Sequence, residues 1–365
     1  MAISIVTMVG DNYGSALQNY ALQQAIQECG ADSKTICVRP KSKLLQFFRS
    51  YVFASSWSEF LRKQWKLYSD IANHSKRKKV SDFFEERIAL TKYKSISELT
   101  QREKSTTTFI AGSDQIWNPA FQPSRLYYLQ FAEQTSGRCY SYAVSLAVDR
   151  LSSQEERYYQ QAIQGRFDCV SVRERTGANL LKGILQGMDI REDVDPVLLW
   201  IPSGGWASLA SNRFCGKKYV LLYMLRPLKD LVEFALKVGR DLGRPVIYLG
   251  DYVFKANGMK FVGDAGVEDF LSAIMNAEVV ITNSFHATLF SILFKKPFYT
   301  VAVTKTGSRV TDFLTSVGLQ DRIITNDTTN VKNYVPDYDE AIASIEQRAA
   351  LSREYIRYIV VKERN

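Results

Sequence analysis

Short apolar runs alternate with stretches of helical periodicity along most of the chain, and that alternation predicts an α/β protein with parallel sheets. Ala2 to Met8 reads as a strand, Val9 to Ser15 as a turn, Ala16 to Cys29 as a helix stopped by Gly30, and Lys34 to Val38 as a second strand. Thr107 to Ala111, Tyr140 to Leu146 and Asp168 to Val172 continue the strand series. Between the last two lies a helix over Ser152 to Gly165, with Ser152 and Glu155 at capping-box positions. Asp195-Pro196 closes this half. A second set follows: strand Tyr219–Leu225, helix Leu228–Leu242, strand Pro245–Leu249, helix Val267–Asn276, strand Val279–Thr282, helix Ser284–Phe294, strand Phe298–Val303 and a helix from Arg309 to Val317. One long helical pattern runs from Asp337 to Val361. The expectation is two doubly wound, Rossmann-like domains facing a cleft, at 1–200 and 218–330, with a linker at 201–217 and a C-terminal helical segment at 331–365.

A length of 365 residues exceeds one ordinary core and suits two domains. The richest apolar stretch, Leu289 to Val303, is interrupted by Lys295-Lys296-Pro297 and is too short to span a bilayer. Met1 to Met8 runs straight into polar residues, which predicts no secretory signal. The five cysteines, Cys29, Cys37, Cys139, Cys169 and Cys215, are scattered without C-x-x-C spacing. They read as reduced core cysteines of a cytoplasmic protein rather than a zinc site or disulfide frame.

Charge changes this picture in one place. Between Arg39 and Lys104 sixteen basic residues face seven acidic ones, so this stretch holds the whole net excess of +9. Phe47, Phe48, Tyr51, Phe53, Trp57, Phe60, Trp65 and Tyr68 are interleaved with them. The segment reads as a basic, aromatic helical insert at about 41–104, suited to peripheral contact with an anionic membrane or to a lipid diphosphate. A solvated face whose aromatics reach the core would have the same composition. No nucleic-acid motif accompanies it, and no nucleic-acid partner is expected.

Candidate chemistry gathers at four polar strand ends: Asp11-Asn12, Ser113-Asp114-Gln115, Arg173-Glu174-Arg175 and Asn283-Ser284-Phe285-His286. The C-terminal ends of parallel strands are where such folds bind ligands, and a helix starting there offers free N–H groups to an anion. His286 is one of only two histidines, the other being His74. Lys305, Ser308 and Arg309 follow the last strand and can join the group from the second half. Each residue also has a structural reading: Asp114 as a turn cap, Arg173 as the partner of Glu174 or Asp149, Arg309 as a helix-start residue, His286 and Trp117 as core. The opening loop has two glycines without the G-x-G-x-x-G spacing, and the chain contains no P-loop.

As an ordered set, several of these stretches resemble the polysaccharide pyruvyl transferase family. They are Asn12-Tyr13-Gly14-Ser15-Ala16-Leu17-Gln18-Asn19-Tyr20-Ala21-Leu22, Gly112-Ser113-Asp114-Gln115-Ile116-Trp117-Asn118, Ser141-Tyr142-Ala143 and Val170-Ser171-Val172-Arg173-Glu174. Asp195-Pro196-Val197-Leu198-Leu199, Ser284-Phe285-His286-Ala287-Thr288 and Ser308-Arg309-Val310 complete the set. The resemblance implies a GT-B-like fold with a C-terminal helix returning to the first domain. It implies phosphoenolpyruvate as donor, a glycan or lipid-linked saccharide as acceptor, and a cyclic pyruvate ketal as product. His286 and Asp114 match the family's catalytic histidine and aspartate, and Arg173 its arginine. Relatives often carry arginine two residues before that histidine where this chain has Ser284, so Arg309 or Lys305 is expected to supply the charge, with Ser284 and Ser308 beside the donor. Asn12, Tyr13, Gln115 and Trp117 are the acceptor-side candidates, the two aromatics as stacking platforms for a sugar. The scheme requires no metal and no cofactor. The rival readings are a nucleotide-sugar-dependent glycosyltransferase and a non-catalytic glycan-binding protein.

Overall fold

The computed structural model describes residues 2–39, 57–121, 125–200, 205–253, 256–302, 308–324 and 336–364. Among the described residues, seven strands form the first sheet: β1 (Ala2–Val6), β2 (Asp32–Val38), β3 (Leu90–Tyr93), β4 (Thr108–Asp114), β5 (Arg138–Val144), β6 (Val170–Val172) and β7 (Ile190–Glu192). Five form the second: β8 (Val220–Met224), β9 (Val246–Gly250), β10 (Met259–Val262), β11 (Val279–Thr282) and β12 (Phe298–Thr300). Their orders are β3-β2-β1-β4-β5-β6-β7 and β10-β9-β8-β11-β12. Every strand pairing is parallel.

Both orders reverse beside the first strand of the sheet, between β1 and β4 and between β8 and β11. Those switch points are where a doubly wound sheet opens a crevice at its carboxyl edge. β4, β8 and β9 are buried along their whole lengths, which is why they read as unbroken apolar runs. β3 and β10 are half-exposed edge strands without such a run, and the sequence pattern passes over them. β7 is missed for a related reason: three residues, two of them charged, carry no strand signature.

The basic insert differs from expectation. Its described part contains helices Trp57–Ala72, His74–Arg87 and Ile96–Arg102, but also β3, which extends the first sheet. Two of its cations hold the insert to the second domain. Lys76 pairs with Asp251 and lies 4.6 Å from the Tyr13 ring, and Lys79 Nζ donates to the Asp264 carbonyl at 2.8 Å. Arg77 pairs with Asp70, within the insert.

The stretch expected as a linker carries a short helix, Gly205–Leu209, whose Trp206 is buried against Trp200 and Phe290. From there the chain enters the second sheet, and at its end it comes back. Helix Asp339–Arg364 returns to the first domain: Ser352 Oγ donates to Asp193 at 2.9 Å and Tyr355 OH to the Ser141 carbonyl at 3.1 Å. One apolar cluster then runs from Ile5 and Leu17 through Tyr13 and Phe270 to Phe290 and Ile356, so the two sheets share a core. Of the cysteines, Cys37, Cys139 and Cys169 are buried as expected, whereas Cys29 is half-buried and Cys215 exposed; all are free thiols.

Candidate functional site

β1 and β4 are tied together at their carboxyl ends by polar side chains. Thr7 Oγ1 donates to the Ser113 carbonyl at 2.7 Å, and Gln18 Nε2 donates to Thr7 Oγ1 at 3.1 Å. Gly112 has φ of +138°, and a Cβ there would lie 2.1 Å from the Tyr142 carbonyl oxygen, so no other residue fits. Asp114 follows with φ of +78°, a conformation a non-glycine residue adopts only under constraint. The constraint is visible. Ser15 Oγ donates to Asp114 Oδ2 at 2.7 Å and the Gln115 amide to Oδ1 at 2.8 Å. Burial alone would raise the Asp114 carboxyl, but His286, Arg173 and these two donors hold it below the usual range.

β6 delivers Arg173. Its neighbour Glu174 turns away and accepts from Ser145 Oγ and the amides of Leu146 and Ala147, at 2.9 to 3.0 Å. Arg173 therefore pairs with neither Glu174 nor Asp149 but with Asp195, whose Oδ2 accepts from Nη1 at 2.5 Å. Both side chains are buried. Burial would push the Asp195 carboxyl up as well; His286, Arg173 and the Val197 amide outweigh it and hold it far below the ordinary value.

The second domain contributes the end of β11. Thr282 Oγ1 accepts from the Ser284 amide at 3.0 Å, and Ser284 Oγ caps helix Phe285–Leu293 by accepting from Ala287 N at 3.4 Å. The cap aims the first turn across the cleft. His286 Nε2 lies 3.4 Å from Asp195 Oδ2, and the other edge of its ring packs on Gly14. Phe285 faces two guanidiniums, Arg173 at 4.5 Å and Arg309 at 5.7 Å from its ring centroid. Oriented with its oxygen toward Arg309, the Gln115 amide accepts from Nη1 and Nη2 at 2.9 and 3.0 Å. Burial, and next the charge of Arg173, push the Arg309 guanidinium down to about 10.

The polar strand ends thus meet at one place between the domains. Among the described residues, Arg173 Nε and Nη2 and His286 Nε2 are buried without a hydrogen-bond partner. Buried donors such as the two of Arg173 are costly unless something accepts from them, about 1–3 kcal/mol each. Two neighbouring cations, an aromatic floor and unsatisfied N–H groups suit a polyanion with a planar carboxylate. A surface groove of about 710 Å³ between β6, β7 and the C-terminal helix contains none of these residues.

The acceptor-side aromatics need correction. Tyr13 is buried in the shared core, donates its hydroxyl to the Ala265 carbonyl at 2.8 Å and stacks on Phe270. Trp117 is buried too, stacked on Tyr128, with Nε1 donating to the Tyr127 carbonyl at 3.0 Å. Neither ring presents a face to a sugar. Asn12 caps helix Tyr13–Glu28, accepting from Gly14 N at 2.8 Å. Lys305 lies outside the described residues, as does the Ser308 side chain, although Ser308 opens helix Ser308–Ser316. Asp195 was missed as a site residue. Asp195-Pro196 signals a helix cap, which it is, but nothing local shows that this loop meets the end of β11.

Gly14 gives a direct test of the ring's position. A Cβ on residue 14 would sit 2.1 Å from His286 Nδ1. Gly to Ala inside a helix ordinarily stabilises by about 1 kcal/mol, but here overpacking costs about 1–3 kcal/mol. Gly14→Ala is expected to lower the denaturant midpoint and displace His286. A variant as stable as the parent would place the ring elsewhere.

The family model described as polysaccharide pyruvyl transferase matches residues 12–305. No curated protein matches the chain. Among solved structures, a candidate UDP-N-acetylglucosamine 2-epimerase from Listeria monocytogenes is 9% identical with a TM-score of 0.53, over 98% of this chain and 91% of that one. S. aureus MnaA, in a co-structure with UDP, is 11% identical with a TM-score of 0.52, over 98% and 90%. At such identities the likeness is one of fold, the GT-B-like pairing of two Rossmann-like domains.

Proposed function

Because the chain belongs to the polysaccharide pyruvyl transferase family, we propose that it transfers the pyruvyl group of phosphoenolpyruvate to a sugar and releases phosphate. The product is a cyclic ketal across two hydroxyls of a galactose- or mannose-type residue, on a cell-surface polysaccharide or its lipid-linked precursor. The observation that carries this reading is the pair of buried guanidiniums over Phe285, with two Arg173 donors unsatisfied, beside His286. Phosphoenolpyruvate brings a carboxylate and a phosphate to such a site. Arg173 and Arg309 hold them as forks, Arg309 supplying the charge that relatives carry at the position of Ser284.

In this scheme His286 passes a proton to the methylene carbon, which becomes a methyl group and leaves an oxocarbenium-like centre at C2. One sugar hydroxyl adds to C2 and gives its proton to Asp114. The C2–O bond to phosphate breaks, phosphate leaving with the electron pair, and a second hydroxyl adds and loses its proton. Of the two protons released, one departs on hydrogen phosphate and the other restores His286. A carboxylate held as low as Asp114 is a weak base, so its contribution lies toward the lower end of the usual range, about 10²-fold.

A lipid-linked acceptor is proposed on a second observation. Helix Trp57–Ala72 exposes Trp57, Tyr68 and Ile71, at 73%, 55% and 66%. Large apolar side chains on one short helix suit the surface of a bilayer. No described helix is long and apolar enough to cross one.

The test incubates the protein with phosphoenolpyruvate and candidate glycosyl lipids in anionic vesicles, following released phosphate and acceptor mass. Expected are stoichiometric phosphate and a mass gain of one pyruvate less one water, with protein sedimenting with the vesicles. Turnover with a nucleotide sugar and none with phosphoenolpyruvate would replace this reading by a glycosyltransferase. Full transfer to a soluble saccharide, with no vesicle binding, would remove the lipid-linked part alone.

A further inference from the structure

Asp195 joins the two groups on which the proposed chemistry most depends. Its Oδ1 is committed to the fold, accepting from Val197 N at 3.1 Å to cap helix Pro196–Leu199. Its Oδ2 is shared: it accepts from Arg173 Nη1 at 2.5 Å and faces His286 Nε2 at 3.4 Å. The carboxylate has no exposed surface. Asp114, the other carboxylate that acts on His286, has one donor on each oxygen, Ser15 Oγ and Gln115 N.

The two nitrogens of His286 therefore meet different surroundings. Nδ1 lies over Gly14, in the first turn of helix Tyr13–Glu28, where any Cβ would strike it. Nε2 is buried without a hydrogen-bond partner and lies 3.4 Å from the Asp195 carboxylate. A lone pair on Nε2 would point at a buried anion, which is repulsive; a proton there meets that anion's attraction. A contact of 3.4 Å without aligned geometry is a loose one, of the kind that tightens when a substrate closes the site.

We propose that Asp195 is a positioning residue that fixes the ring and tautomer of His286, keeping a proton on Nε2 and the lone pair on Nδ1. The role in catalysis rests on the pyruvyl-transfer reading; the tautomer does not. A donor anion can engage Arg173 through Nε and Nη2 while Nη1 stays on Asp195, so the carboxylate keeps its place through donor binding.

Two histidines make the experiment simple. In a His74→Gln background, which removes an exposed histidine of the insert, ring ¹⁵N spectra in alkaline buffer report which nitrogen of His286 carries the proton. The expected result is Nε2–H in the parent and a shift toward Nδ1–H in Asp195→Asn. Asparagine keeps the size of the side chain and an oxygen for Val197. Phosphate release by Asp195→Asn is expected to fall about 10²-fold or more, in kcat more than in KM for phosphoenolpyruvate. An Nδ1–H tautomer in the parent overturns the proposal even if the variant fails to fold. So does an unchanged Nε2–H signal in Asp195→Asn with a loss confined to KM, which would make Asp195 only a support for Arg173. The spectra need no substrate, so an absence of pyruvyl transfer in every preparation would count against the proposed function and leave the tautomer result standing.

Discussion

His286→Gln is expected to cut phosphate release from phosphoenolpyruvate by about 10²–10⁴-fold with acceptor present, the range of a lost general acid. Glutamine fills a similar volume, keeps a polar end near Asp195 and Gly14, and removes only the group that can donate to carbon. Donor binding should survive, because Arg173, Arg309 and Phe285 are untouched. That difference is measurable. Phosphoenolpyruvate at a hundred times its dissociation constant should stabilise the variant by about 2.7 kcal/mol, as it does the parent. A variant that binds donor and still releases phosphate at the parental rate would end the acid assignment. A variant that loses donor stabilisation would make His286 a binding residue instead.

The elements with unbroken apolar runs or strong periodicity were legible in the sequence. Helix Val267–Asn276 and strand β11 lie where the pattern put them, and the capping box at Ser152 and Glu155 forms as read. What the pattern missed is what lies at edges. β3 and β10 are half-exposed and owe their strand conformation to the neighbour they pair with, not to their own composition. Alternation also implied where the chemistry gathers, because the polar residues that stop a buried strand stop it at the sheet's carboxyl edge. Alternation does not tell a buried aromatic from an exposed one. Tyr13 and Trp117 follow polar stops just as His286 does, yet each ends in a core, because the polar atom of each finds a backbone carbonyl inside.

Charge was the least legible feature. The basic excess of the insert looked like a surface property, yet Lys76 and Lys79 reach acidic groups and carbonyls of the second domain. Asp195 shows the same limit from the other side. It sits more than twenty residues beyond Arg173 and about ninety before His286, and only the way both sheets present their carboxyl edges to one cleft brings the three together.

Arg173→Met is expected to have the largest combined effect on stability and turnover. Its side chain is buried, and its loss leaves Asp195 as an uncompensated charge beside His286. Removing one partner of a buried pair costs about 3–5 kcal/mol, a large fraction of the stability of an ordinary domain. Donor binding should fall as well, since Nε and Nη2 are the buried donors left for a carboxylate. Adding Asp195→Asn separates the two effects. With both charges gone the buried-charge penalty disappears, so the double variant should recover most of the lost denaturant midpoint. It should recover no donor affinity and no phosphate release, because nothing replaces the guanidinium over Phe285. Parental KM for phosphoenolpyruvate in a folded Arg173→Met protein would move the donor away from this arginine. A double variant no more stable than the single one would mean that Arg173 acts through packing on Phe285 rather than through its charge.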